Sequence, residues 1–143
     1  MGYKFLDSIT SADVAFEASG RTEKEMLTNS GLALFSAQVR GKTWRNFERH
    51  VRFDTNSGDL ESLLFRFLSE LVFLKDSDGL LFGRFELKLS KKRGRFTLEA
   101  DAYGNEASEF GKNLIVDVKA VSMHKFSVKH RSSRFVATVV LDV

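Results

Sequence analysis

The chain has no cysteine and no proline, and it carries only one tryptophan and two tyrosines. Without cysteine there can be no disulfide, thiolate metal site, iron–sulfur cluster or cysteine nucleophile, which removes several enzyme classes before any motif is read. The missing proline excludes no function class. No apolar run approaches the roughly 18 residues that a membrane helix needs. Met1 to Thr10 alternate polar and apolar residues, with no basic region followed by an apolar stretch, so the expected location is cytoplasmic. Familiar catalytic signatures are missing too. There is no GxxxxGK phosphate loop, no GxGxxG, no HExxH and no GxSxG elbow.

What is present fits one soluble domain spanning 1–143, with 43% hydrophobic and 29% charged residues and no depleted stretch that could act as a linker. A formal charge of +3 and a pI near 9.3 make contact with RNA or an acidic partner conceivable without arguing for it. The densest basic run, Lys91 to Arg95, sits between two alternating segments and reads first as a solvated hairpin turn.

Tyr3 to Leu6 and Asp13 to Ala18 read as strands. In the second, Val14, Phe16 and Ala18 share one face and Asp13, Ala15 and Glu17 the other. Thr22 to Glu25 is a capping box that predicts a helix with Leu27, Leu32, Leu34 and Phe35 on its apolar stripe, interrupted at Gly31 and stopping at Gly41. A polar strand is expected from Phe47 to Asp54, then a turn at Thr55 to Gly58. Asp59 opens the strongest periodic segment, Leu60, Leu63, Leu64, Phe67, Leu68, Leu71 and Leu74, a second helix broken by Asp76-Ser77-Asp78-Gly79. Period-two patterns then predict a hairpin across Lys91 to Gly94 and further strands from Leu114 to Lys129 and from Arg134 to Val143. The expectation is an α+β fold, two helices on one face of a largely antiparallel sheet.

Asp76 to Gly79 resembles the first ligands of an EF-hand, but the glycine comes too soon and the twelfth-position glutamate is lacking. His50, His124 and His130 are scattered. His124 and His130 share strand parity but lie about 20 Å apart on an extended strand, too far for one metal. The chain end is less ordinary: Val139, Val140 and Leu141 lead to Asp142 and the terminal carboxylate of Val143. A frayed, solvated end is one reading. If the strand is central, buried carboxylates need a partner, and a hard cation such as Ca²⁺, Mg²⁺ or Mn²⁺ suits oxygen donors. Asp13 could add a carboxylate if the two strands are neighbours.

Asp59 to Leu64, Ser69 to Phe73, Asp78 to Phe82, Val118 to His124 and Val140 to Val143, in that order and spacing, resemble the archease family over nearly the whole chain. Near the start the family's His-Thr-Ala-Asp-Val-Gly is matched by Thr10-Ser11-Ala12-Asp13-Val14-Ala15. Thr10 stands where the family has histidine, and two extra residues around Ser8 and Ile9 precede the motif. The resemblance implies a non-catalytic activator of the RtcB-type RNA ligase of tRNA splicing, with tRNA reached through the ligase. It also implies a divalent metal held by Asp13, Asp142 and the Val143 carboxylate. Lys119 and His124 match the family's Val-Lys-Ala-Val-Thr-Tyr-His stretch and would contact the ligase or its nucleotide. Two rival readings are a basic RNA- or protein-binding, chaperone-like module and a small metal-dependent hydrolase built on Asp13 and Asp142.

Overall fold

The computed structural model describes residues 2–7, 11–41 and 44–143. The first helix, α1 (Glu23–Gln38), starts where Thr22 Oγ1 accepts the Glu25 amide at 3.0 Å. The Glu25 carboxylate reaches back to the Arg21 N–H rather than to that of Thr22. The helix ends three residues before Gly41, because Val39 is already extended while its N–H still donates to Phe35 O. Gly31 is the close-packing point of α1. A β-carbon there would stand 2.7 Å from the Phe85 ring. The second helix, α2 (Leu60–Asp78), is capped by Asp59, which accepts the Ser62 amide at 2.7 Å, and closed by Gly79 at φ 69°, the left-handed conformation glycine adopts without penalty. The break expected over Asp76 to Gly79 thus falls on Gly79 alone.

Seven strands among the described residues are β1 (Tyr3–Leu6), β2 (Asp13–Gly20), β3 (Arg49–Ser57), β4 (Leu80–Lys92), β5 (Arg95–Glu106), β6 (Ala120–Arg131) and β7 (Arg134–Asp142). All pairings are antiparallel, and the class is the expected α+β, with the strands divided between two sheets ordered β1-β2-β7-β6 and β3-β5-β4. Both helices touch both sheets, and one core joins them through Phe16, Met26, Leu63, Phe67, Leu98 and Leu141.

Three expectations shift. Thr55 to Ser57 belong to β3 instead of a turn, because β5 is long enough to pair them with Leu98, Thr97 and Phe96. Leu114 to Lys129 is not one strand: a 3₁₀ segment, Ala107–Asn113, precedes an extended strap, and β6 begins only at Ala120. Finally, four residues between Ser122 and Ser127 bulge against Val139 alone, so parity is lost across them. His124 lies in the bulge with its N–H donating to Ser122 Oγ, while His130 stacks on Phe135 on the helix side. The shared parity inferred for the two histidines does not hold. The basic turn is the solvated hairpin expected, closed by Arg93 and Gly94 at φ 53° and 78°.

Candidate metal centre at the end of the four-stranded sheet

Core packing decides where Asp13 and Asp142 stand. Val14 faces Leu141, Phe16 faces Val139 and Ala18 faces Ala137, which commits those rungs to the helix side. The alternate residues therefore point to the other face, and Asp13 pairs directly with Asp142 there. Ala120 of β6 completes the same rung, a methyl group where a third side chain could have crowded the carboxylates. The next outward-facing rung is apolar, Ala15 against Val140, at 5% and 4% exposure. Directly opposed residues of this kind have β-carbons about 5 Å apart, close enough for like charges to repel.

The chain end is tied in place. Val143 N–H donates to Ala12 O at 3.0 Å, and Lys119 N–H donates to Asp142 O at 2.8 Å. Val143 is thus held by one backbone hydrogen bond to the strand beside it, and Asp142 by another to Lys119. Asp13 and Val143 are half-buried, and Asp142 and Lys119 are exposed. Among the described residues no three side chains of His, Cys, Asp and Glu converge as a metal cluster. Any cation here would rest on Asp13 and Asp142, with Val143 beside them, an all-oxygen donor set. That donor chemistry fits Mg²⁺, Ca²⁺ or Mn²⁺ and does not fit a site demanding nitrogen or sulfur.

The structure brings Asp13, Asp142, Val143 and Lys119 to one sheet end. His124 is not with them: it sits in the bulge about three rungs farther along, roughly 10 Å by strand rise. Thr10, Ser8 and Ile9, where the sequence departs from the family motif, lie outside the described residues.

Sequence reading did not single out Lys75. Its side chain is 9% exposed, and its Nζ donates to Asp117 at 2.5 Å, to Val118 O at 2.6 Å, and pairs with Asp76 at 2.7 Å. Burial works against the charge, yet the hydrogen bonds and charges of Asp117 and Asp76 outweigh it and hold the ammonium pKa above its ordinary 10.5. The signal in the sequence was a lysine directly following Leu74 on a buried stripe. On the outer face of the smaller sheet the Tyr103 ring is flanked by His50 at 4.6 Å and Arg84 at 3.9 Å, among paired charges. Desolvation, then the hydrogen bond and charge of Glu86, raise the Tyr103 pKa.

The sequence matches the model of the Archease protein family over residues 3–143. It is 34% identical to the Protein archease of Pyrococcus furiosus across 92% of this chain and 93% of that one. It is 32% identical to that of Archaeoglobus fulgidus across 100% of both. A solution structure of a Methanobacterium thermoautotrophicum protein superposes with a TM-score of 0.85 at 31% identity, covering 99% of each chain. A Thermotoga maritima crystal structure, described as an archease and possible chaperone, shares the fold at a TM-score of 0.57 and 14% identity over 96% of each. By sequence over nearly its whole length and by fold, the chain belongs to the archease family.

Proposed function

We propose that this protein is a metal-binding accessory factor that activates an RtcB-type RNA ligase in tRNA splicing, promoting the ligase's guanylylation and multiple turnover without bond chemistry of its own. The observation that carries this reading is the register that faces Asp13 with Asp142. Two carboxylates brought onto one rung concentrate negative charge at the sheet end, and the adjoining apolar rung weakens solvent screening on one side. Asp13, Asp142 and the Val143 carboxylate would hold a divalent cation, which supplies a concentrated positive charge able to polarise phosphate oxygens. These residues orient that charge at an exposed sheet end, where a second protein can reach it. Lys119, anchored by its backbone to Asp142, adds a cation beside the site, and His124 presents an imidazole from the bulge; both are assigned to contact with the ligase or its nucleotide.

The test is multiple-turnover ligation with the organism's own ligase. Asp13→Ala and Asp142→Ala are expected to lose stimulation while keeping wild-type circular dichroism. Full stimulation by both folded variants refutes the cation site. No stimulation by the wild-type protein refutes the ligase as partner.

A further inference from the structure

The four-stranded sheet has two edges, and the fold treats them differently. The β6 edge and the strap before it are covered by α2: Glu61 Oε1 accepts the Val128 N–H at 3.0 Å, and Lys75 Nζ caps Val118 O. Side-chain bonds of this kind, with the bulge between Ser122 and Ser127, make that edge the poorer template for another strand. The opposite edge, β1, has no such cover: among the described residues nothing bonds its outward backbone groups.

Two of the five large apolar side chains that the described residues expose lie beside that edge, Phe5 at 45% and Ile115 at 47%. A cavity of about 360 Å³ runs between Phe5 and Ile115 over Ser36 and Val39. Its lining includes two cations, Lys4 and Arg40, and no carboxylate. Along β1, Phe5 faces Phe16 on the helix side, whereas Lys4, which also lines the groove, is opposite Glu17 and pairs with it at a loose 3.9 Å.

We propose that β1 and this groove dock an extended acidic segment of a partner protein, added to the sheet as a fifth strand. Backbone bonds to β1 would supply affinity. Alternate side chains would supply selection, apolar ones packing on Phe5 and Ile115 and carboxylates lying opposite Lys4. A second copy of this chain is the poorer occupant, because antiparallel β1 strands would bring the two Lys4 ammoniums together. The proposal is independent of the cation reading.

Fluorescein-labelled hexapeptides test it by anisotropy: alternating Val and Glu, alternating Val and Lys, and two Val-Glu peptides N-methylated along one edge and along the other. The Val-Glu peptide is expected to bind about tenfold or more tighter than the Val-Lys peptide, the scale of one well-placed charge pair. Lys4→Glu should reverse that preference. Phe5→Asp and Ile115→Asp should each weaken binding about tenfold in variants that circular dichroism shows to be folded. Methylation of one peptide edge should abolish binding and of the other should not. EDTA should change nothing, so failure here and failure of the cation site are separable. Equal binding of the two peptides, no binding of either, or indifference to methylation on both edges overturns the proposal. So does a concentration-dependent dimer that Phe5→Asp dissolves, since the edge would then belong to a second copy.

Discussion

Replacing Asp142 with asparagine keeps the shape of the rung and removes one of its two facing charges. With β-carbons about 5 Å apart, two unit charges repel by about 0.8 kcal/mol at the dielectric of water and about 3 kcal/mol at an effective value of 20. Asp142 is exposed, so the lower figure governs, and about 1 kcal/mol is expected. Spread over 143 residues, an unfolding entropy of about 2.1 cal/mol/K per residue turns that into a rise of about 3 °C in melting temperature, measured in EDTA. Divalent cation must reverse the order. A ligand at one hundred times its dissociation constant stabilises the native state by about 2.7 kcal/mol, so the wild type should gain about 9 °C in saturating CaCl₂ or MnCl₂ and Asp142→Asn only a small fraction of that. Differential scanning fluorimetry of both proteins, with and without cation, reads all four values. Equal cation shifts in the two proteins, or a variant that melts lower in EDTA, refute the reasoning.

Extending the chain beyond Val143 by a short tag converts the terminal carboxylate into a peptide and displaces it from beside Asp13, so cation affinity measured by calorimetry should fall about tenfold or more; unchanged affinity removes Val143 from the site. Lys75→Met should cost about 1–3 kcal/mol in urea unfolding, because Val118 O loses its donor and Asp117 its counter-ion, while stability at neutral pH is unaltered if the clamp is idle. Because the folded pKa of Lys75 lies above the unfolded one, its contribution is complete below about pH 10 and disappears as pH rises through the folded value; the gap between wild type and Lys75→Met should close in alkali, and a gap that widens there contradicts the assignment. Gly31→Ala, despite its better helix propensity, should destabilise by about 1–3 kcal/mol because the new methyl meets Phe85, and a more stable variant would show that α1 can move away from β4.

Both helices were legible because their signals are local: Thr22 and Asp59 cap as their spacing requires, and Gly79 ends α2 by its own conformational freedom. The face on which Asp13 lies was legible for the same reason, since strand alternation needs no partner. Its pairing with Asp142 was not legible in strand patterning, because nothing in either segment says that β2 and β7 are neighbours 129 residues apart in sequence; only the family resemblance put the two aspartates at one site. Nor does any local pattern announce the bulge: Met123 to Phe126 continue the strand composition around them, and only the register against β7 shows that they oppose a single residue. Lys75 was hidden by the opposite failure. A lysine at the margin of an apolar stripe reads as solvated, and its partner Asp117 comes from a strap that composition alone had assigned to a strand.

The facing carboxylates are a consequence of the core, and this bears on what they are for. A slip of one residue between β2 and β7 would separate Asp13 from Asp142, but it would also turn Val14, Phe16 and Ala18 away from Leu141, Val139 and Ala137 and expose a row of fully or largely buried side chains. At about 2 kcal/mol for each large apolar side chain, that loss exceeds the roughly 1 kcal/mol of repulsion at the end rung several times over. The ladder therefore holds the two charges together whether or not a cation is present, and the pair costs the fold little. At the proposed site, a pair pre-set in this way would bind a cation better than a flexible acidic loop, because the carboxylates would not have to be gathered when the ion arrives. It follows that charge-neutral substitutions at Asp13 or Asp142 should not speed amide exchange in β2 and β7, and should slow it if anything, while removing most of the cation response. Faster exchange along those strands would mean that the carboxylates help set the register, and the core argument would fail.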